Sequence, residues 1–180
     1  IKKINIDGLV SFNGKTEKFE KIINITGPWA HKFLKDNNIA SGYELDLIRG
    51  SHIVINRNID HGYFLEIPNE RRIFFVLPHK KKTLIGTTEV RQKNIKKTKL
   101  SKHEINYLIR AYNHYFVQKI TSKDIVDTFS GIRPIVKSNK NPSKASREYV
   151  FETQKNLLNV FGGKWTTSRQ LAKKIVSKLF

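Results

Sequence analysis

The chain has 180 residues, 38% of them hydrophobic and 11% aromatic, which suits one core-bearing domain or two thin ones and excludes a disordered tail. The absence of cysteine excludes a disulfide framework, a thiolate zinc site and a cysteine nucleophile, and no apolar run approaches the roughly 20 residues of a membrane-spanning helix. Lys and Arg number 34 against 15 Asp and Glu, for a net charge of +19. That charge invites a polyanion, but the basic residues are scattered and Lys outnumbers Arg 25 to 9, the mark of compositional drift rather than of a nucleic-acid face. The chain contains no methionine and begins at Ile1, so an internal fragment is expected.

The opening predicts a strand meander over 3–6, 9–12 and 19–26, broken by Asp7-Gly8 and Asn13-Gly14, the strongest short-range hairpin signal. Ile22, Ile23 and Ile25 make the third run nearly continuous in apolar character, so burial on both faces is expected. It ends in Thr26-Gly27-Pro28-Trp29, where proline favours a helix start, and a helix is predicted over 28–35. Strands follow over 44–49, 52–57, 63–67, 73–77 and 83–88, with a turn at Gly50-Ser51 and further turns at 58–62, 68–69 and 80–82. A basic polar linker spans 91–99. Ser101 and Glu104 form an S-x-x-E capping box ahead of the stripe Ile105, Leu108, Ile109, Tyr112 and Phe116, which predicts a helix to about 117. A strand over 124–130 closes in Gly131-Ile132-Arg133-Pro134. After a polar loop at 139–146 come strands over 149–152 and 157–161. The last helix is expected to be capped by Thr166 or Thr167 and to bury Leu171, Ala172, Ile175, Val176 and Leu179.

Close carboxylate pairs, metal-binding histidine motifs, the G-x-S-x-G elbow, the P-loop and G-x-G-x-x-G are all missing from the sequence. Metal-dependent and hydrolytic chemistry therefore have no anchor. Four basic residues do stand at strand ends or glycine turns: His52, Arg133, Arg147 and Lys164. Together they suit a small anion, with arginine gripping phosphate oxygens in bidentate fashion. The Gly162-Gly163-Lys164-Trp165-Thr166-Thr167 turn opens a helix, whose free N–H donors suit a phosphate or the electron-rich edge of a reduced flavin.

Six segments carry a resemblance: I-N-I-T-G-P-W at 23–29, R-G-S-H-I-V at 49–54, T-L-I-G-T-T at 83–88, F-S-G-I-R-P at 129–134, S-R-E-Y at 146–149 and F-G-G-K-W-T-T at 161–167. In this order they resemble the FAD-dependent, quinone-linked glycerol-3-phosphate dehydrogenases, within the D-amino-acid-oxidase-like flavoenzymes. Departures fall at Ile25, His79, Glu89, Trp165 and Ser168; none removes a presumed catalytic group.

The resemblance implies an α+β fold, a portion of an α/β FAD domain interleaved with a mostly antiparallel substrate-binding sheet, without the N-terminal Rossmann βαβ unit. It implies FAD-domain portions at 1–43 and 129–180 around a substrate-binding region at 44–128. Thr26, Gly27, Gly131, Gly162, Gly163, Lys164, Trp165 and Thr166 are then the expected FAD contacts. Arg133, Arg147 and Lys164 are the expected substrate ligands, and His52, Arg133 and Lys164 the expected catalytic groups. Imidazole changes charge near neutral pH and suits a base at the substrate hydroxyl. The reaction implied is oxidation of sn-glycerol 3-phosphate to dihydroxyacetone phosphate by hydride transfer from C2 to flavin N5, with electrons passed to a quinone. The family plan also implies a cytoplasmic protein attached peripherally to the inner membrane, for which the Lys-rich surface suits anionic lipid, and it admits a homodimer of the full-length enzyme. Two alternatives stay open: a related FAD-dependent oxidoreductase of 2-hydroxy or 2-amino acids, and a basic module binding nucleic acid or anionic membrane.

Overall fold

The computed structural model describes residues 3–96, 99–137 and 148–179. In chain order the strands are β1 (Lys3–Ile4), β2 (Leu9–Phe12), β3 (Lys15–Lys18), β4 (Ile22–Asn24), β5 (Leu45–Ile55), β6 (Tyr63–Glu66), β7 (Ile73–His79), β8 (Lys82–Gly86), β9 (Val90–Gln92), β10 (Ile125–Val136), β11 (Tyr149–Gln154) and β12 (Leu157–Gly162). The helices are α1 (Ala30–Asp36), α2 (Lys102–Tyr115) and α3 (Ser168–Leu179), with 3-10 turns at Gly27–Trp29 and Trp165–Thr167 leading into α1 and α3. The mixture is α+β with mostly antiparallel pairing, as expected. No helix among the described residues is long and apolar enough to cross a membrane. The chain divides into two compact units, Ile1–Leu47 with Arg133–Phe180, and Ile48–Ile132.

In the first unit, β1, β2 and β3 form an antiparallel sheet. Gly8, Asn13 and Gly14 take positive φ at its turns, the conformation that Asx-Gly hairpins need. The second hairpin closes on β3, with Phe12 opposite Lys15, rather than on a strand over 19–26. The expected burial of that third run is also corrected. Only Ile22–Asn24 is strand, and Ile23 and Ile25 are 42% and 69% exposed, because β4 lies at the edge of its sheet.

That sheet has the order β11-β12-β4, with β11 antiparallel and β4 parallel to β12. Its centre is buried on both faces, which is why β12 is almost wholly apolar. Leu157 and Phe161 pack with Ala30 and Leu34 of α1, and Leu158 and Val160 pack with Ile175 of α3. Beyond β12, Gly162 and Gly163 hold φ of +76° and +92°. A Cβ on Gly162 would sit 2.5 Å from the Glu148 carbonyl oxygen. The expected cap of the last helix is corrected. Lys164 precedes the 3-10 turn without a side-chain cap bond, and the Thr167 hydroxyl instead donates back to the Lys164 carbonyl at 3.2 Å. On α3 Ile175 is buried, while Ala172 and Val176 are exposed.

In the second unit the sheet order is β10-β5-β8-β7-β6, with β9 on β5; β5 and β10 carry the chain between units. The turn expected at Gly50-Ser51 does not exist, since β5 runs unbroken through it. Likewise β10 runs through Gly131 to Pro134 instead of closing there, and β9 overlaps the start of the expected linker. The polar loop expected at 139–146 lies outside the described residues. Alternation along β5 decides which side chain meets which layer. Ile53 and Ile55 join Phe74, Val76, Ile85, Leu108 and Tyr112 in the core under α2. Arg49 and Ser51 fall on that same face, whereas His52 falls on the other.

The α2 capping box forms as expected: Ser101 Oγ accepts from the Glu104 N–H, and the Glu104 carboxylate accepts from the Ser101 N–H at 2.9 Å. Glu104 is also 2% exposed and reaches the sheet. Its oxygens accept from Arg49 Nη2 at 2.6 Å, Ser51 Oγ at 2.7 Å and Thr88 Oγ1 at 2.9 Å. Burial pushes its pKa up, but the donors from the Ser101 backbone, Ser51, Arg49 and the Ser101 hydroxyl outweigh burial and hold it down at about 2.

Two predictions follow from these contacts. A carboxyl with a depressed folded pKa contributes stability above its unfolded pKa, near 4.5, and loses it as pH falls through the folded value of about 2. Wild-type melting temperature should therefore fall across that acid window, and Glu104→Gln should show a flatter acid limb in a pH series of thermal melts. Gly162→Ala should destabilise by about 2 kcal/mol or more, because a left-handed backbone and a blocked Cβ act together; thermal denaturation reads this as a loss of about 4–8 °C.

Candidate functional site

The parallel pair β4 and β12 brings two of the expected segments to one end of a sheet. With Asn24 opposite Asn159 in the register, the chain leaves β4 into Thr26-Gly27 and leaves β12 into Gly162–Lys164 at the same carboxyl end, where open α/β sheets hold their ligands. A buried amide ladder fixes this end. Asn24, 2% exposed, donates from Nδ2 to Oδ1 of the fully buried Asn159 at 2.9 Å. Asn159 Nδ2 donates to Glu152 at 3.2 Å. The Thr26 hydroxyl donates to Asn24 Oδ1 at 2.7 Å, joined by the Thr26 N–H at 3.2 Å. Thr26 is thus oriented by a side chain that sequence reading passed over.

At the second exit the Thr167 N–H donates to the Lys164 carbonyl at 3.1 Å and the Ser168 N–H to the Trp165 carbonyl. The N–H groups of Trp165 and Thr166 stand ahead of that ladder, at the positive end of α3. Trp165 is 91% exposed. Lys164 borders a cleft of about 590 Å³ lined also by Glu148, Tyr149, Gly163, Thr167 and Lys174, with the Lys174 ammonium 5.3 Å from the Tyr149 ring centre.

In the second unit, His52 stands opposite Gly86 in the β5–β8 ladder. A Cβ on Gly86 would lie 2.1 Å from His52 Cδ2, so only glycine lets the ring lie close against β8. On the other side the Phe129 ring of β10 stacks on His52, with centroids 4.7 Å apart and planes 15° apart. The same row continues through Phe75, opposite Gly86, to Phe64, opposite Phe75. His52 is thus held in an aromatic row on the sheet face away from α2.

Among the expected site residues, the structure groups Thr26, Gly27, Gly162, Gly163, Lys164, Trp165 and Thr166 at one strand end of the first unit. Arg133 lies on β10 in that unit by chain position, half-buried, and Gly131 lies two residues before it in the second. His52 belongs to the second unit. Arg147 lies outside the described residues. Sequence reading missed Asn24, Asn159, Gly86, Phe129 and the second role of Glu104. The isolated glycine in T-L-I-G-T-T was the available signal for close approach at Gly86.

Comparison with known proteins identifies the family. The family described as FAD dependent oxidoreductase matches residues 1–177. The chain is similar to the aerobic glycerol-3-phosphate dehydrogenase of Escherichia coli strain K12, with 39% identity over 168 residues, 88% of this chain and 34% of that protein. It is 36% identical to the D-erythritol 1-phosphate dehydrogenase of Brucella abortus strain 2308, over 94% of this chain and 36% of that protein. The glycerol-3-phosphate dehydrogenase of Bacillus halodurans, solved in complex with FAD, shares the fold with a TM-score of 0.76 and 23% identity, over 97% of this chain and 38% of that one. The chain spans about a third of the length of these curated relatives. A family match over nearly every residue, on a fold whose glycine turns share one strand end, places the chain in the FAD dependent oxidoreductase family.

Proposed function

We propose that this chain is the substrate-facing and flavin-edge part of an FAD-dependent dehydrogenase that oxidises glycerol 3-phosphate to dihydroxyacetone phosphate. The observation that carries the reading is the pairing of the Thr26-Gly27 and Gly162–Thr166 exits at one carboxyl end of a parallel pair. The residues there fit a flavin nucleotide. A Cβ on Gly27 would meet nothing within 4 Å, so backbone can be approached closely there. Ile25 and Trp165 offer exposed apolar surface beside the polar Thr26 and the helix donors. Thr26, Gly27, Gly131 and Gly162–Thr166 hold the cofactor in this reading, with Lys164 and the positive end of α3 favouring negative charge on it.

FAD, when bound, supplies the acceptor for the hydride that leaves C2 of the substrate. The chain's own groups do the rest. Arg133 and Arg147 bind the phosphate through charge-assisted bonds, and Lys164 lowers the cost of negative charge near the C2 oxygen. His52, clamped between Gly86 and Phe129, takes the hydroxyl proton. Residues 44–128 serve substrate binding and the flanking segments serve the cofactor. The named relatives act on polyol monophosphates, which supports a phosphate-bearing alcohol over a 2-hydroxy or 2-amino acid. We further infer that the electrons pass on to a quinone, that the enzyme works on the cytoplasmic face of the inner membrane, where the surplus of Lys favours anionic lipid, and that it assembles as a homodimer.

Anaerobic addition of glycerol 3-phosphate to the FAD-loaded protein should bleach the visible flavin band. Bleaching by D-erythritol 1-phosphate alone would move the substrate within the same class, and bleaching by neither would defeat the reading. Steady-state kinetics of Arg147→Ala should show KM for glycerol 3-phosphate raised about tenfold or more from the lost phosphate grip; an unchanged KM removes Arg147 from the site. Gly86→Ala, which drives a methyl into the His52 ring, should lower kcat by about 100-fold while circular dichroism stays native.

A further inference from the structure

We infer that Glu104 is a positioning residue for His52, acting through Ser51 and Thr88. The inference rests on the proposed role of His52 and adds to it the device that fixes the imidazole.

The β5–β8 ladder ends at the His52–Gly86 pair. One step further the strands are held by hydroxyl groups as well as by backbone. The Ser51 N–H donates to Thr88 Oγ1 at 3.0 Å, and the Thr88 N–H donates to the Ser51 carbonyl at 3.2 Å. Both hydroxyls then donate to the same oxygen, Glu104 Oε1, at 2.7 Å from Ser51 and 2.9 Å from Thr88. This closes a ring of bonds around the peptide that leads into His52. Arg49 Nε also reaches Oε1, at 3.3 Å, while Arg49 Nη2 and the Ser101 hydroxyl satisfy Oε2 at 2.6 and 2.9 Å. Ser51, Thr88 and Glu104 are all buried.

Stability alone does not call for this arrangement. A buried ion pair with its hydroxyls is often replaceable by apolar side chains of similar volume without loss, and Ser51 and Thr88 share their layer with Ile53 and Ile85. Hydrogen bonds with fixed directions specify angle and register where packing specifies only volume. The direction specified here is that of the strand segment whose next side chain lies on Gly86 and under Phe129. A second anchor acts on the adjoining residue: Arg72 Nη2 donates to the Thr87 carbonyl at 3.2 Å, and Arg72 Nη1 to Tyr107 Oη, on α2 like Glu104, at 2.9 Å. The first two turns of α2 thus hold both strands one step beyond the His52–Gly86 contact.

The test uses Thr88→Val and Thr88→Ser in the FAD-loaded protein. Valine keeps the volume and removes both hydroxyl bonds; serine keeps the hydroxyl. Thr88→Val should lower kcat about tenfold with KM for glycerol 3-phosphate within about twofold, and Thr88→Ser should restore kcat. In the NMR spectrum of histidine-labelled protein, the His52 ring signals, shifted by the stacked Phe129 ring, should move in Thr88→Val and return in Thr88→Ser. Glu104→Gln should act in the same direction, and where it fails to fold the Thr88 pair decides. His52→Asn, measured alongside, separates the two readings: full activity there would defeat the catalytic role of His52, and the ring signals would still decide positioning. Unmoved His52 signals in Thr88→Val, or an unchanged kcat with only a lower melting temperature, would overturn the inference.

Discussion

The Glu104 carboxylate is buried at the start of α2, and a desolvated charge without donors costs several kcal/mol. Its donors come from three elements: the helix's own cap at Ser101, β5 through Arg49 and Ser51, and the segment after β8 through Thr88. Satisfying one carboxylate therefore fixes the helix start, the register of two strands and the face on which each β5 side chain lies. Arg49, Ser51, Ile53 and Ile55 are committed to the α2 side, and His52 is left to the other. The catalytic candidate is left half-buried on that face as a consequence of where a neighbouring charge is buried.

The first unit solves a different problem, that of presenting backbone. Its two strand exits share one end because β4 and β12 run parallel. They stay open because Gly27, Gly162 and Gly163 hold left-handed conformations that other residues resist. The buried Asn24–Asn159 contact ties the exits together from below, and an unpaired amide in either place would leave polar atoms without partners. Exposed Ile25 and Trp165 follow from the same geometry: they stand where the sheet stops and, in the proposed reaction, where the cofactor begins.

Local chemistry was legible in the sequence and tertiary context was not. The Asp7-Gly8 and Asn13-Gly14 turns, the Ser101–Glu104 capping box and the Gly162-Gly163 turn were readable because each is decided within a few residues. Gly50-Ser51 misled because glycine and serine usually mark turns, yet here Ser51 is a polar residue on a core face, matched to a carboxylate 53 positions away. The capping box masked Glu104 in the same manner, since a local explanation was sufficient and Arg49 is 55 positions distant. Ile23, Ile25, Ala172 and Val176 were expected inside by apolar character alone, and an edge strand and a helix with one covered stripe left them outside. The resemblance supplied the candidate site residues, and the structure supplied what orients two of them: Asn24 for Thr26, and Gly86 and Phe129 for His52.

A double-mutant cycle between Thr88 and His52 tests the central claim most directly, because it asks whether the hydroxyl acts through the imidazole or independently of it. The account predicts that Thr88→Val, costly in the wild-type protein, lowers kcat no further in a His52→Asn background. An equal fold-loss in both backgrounds would contradict it.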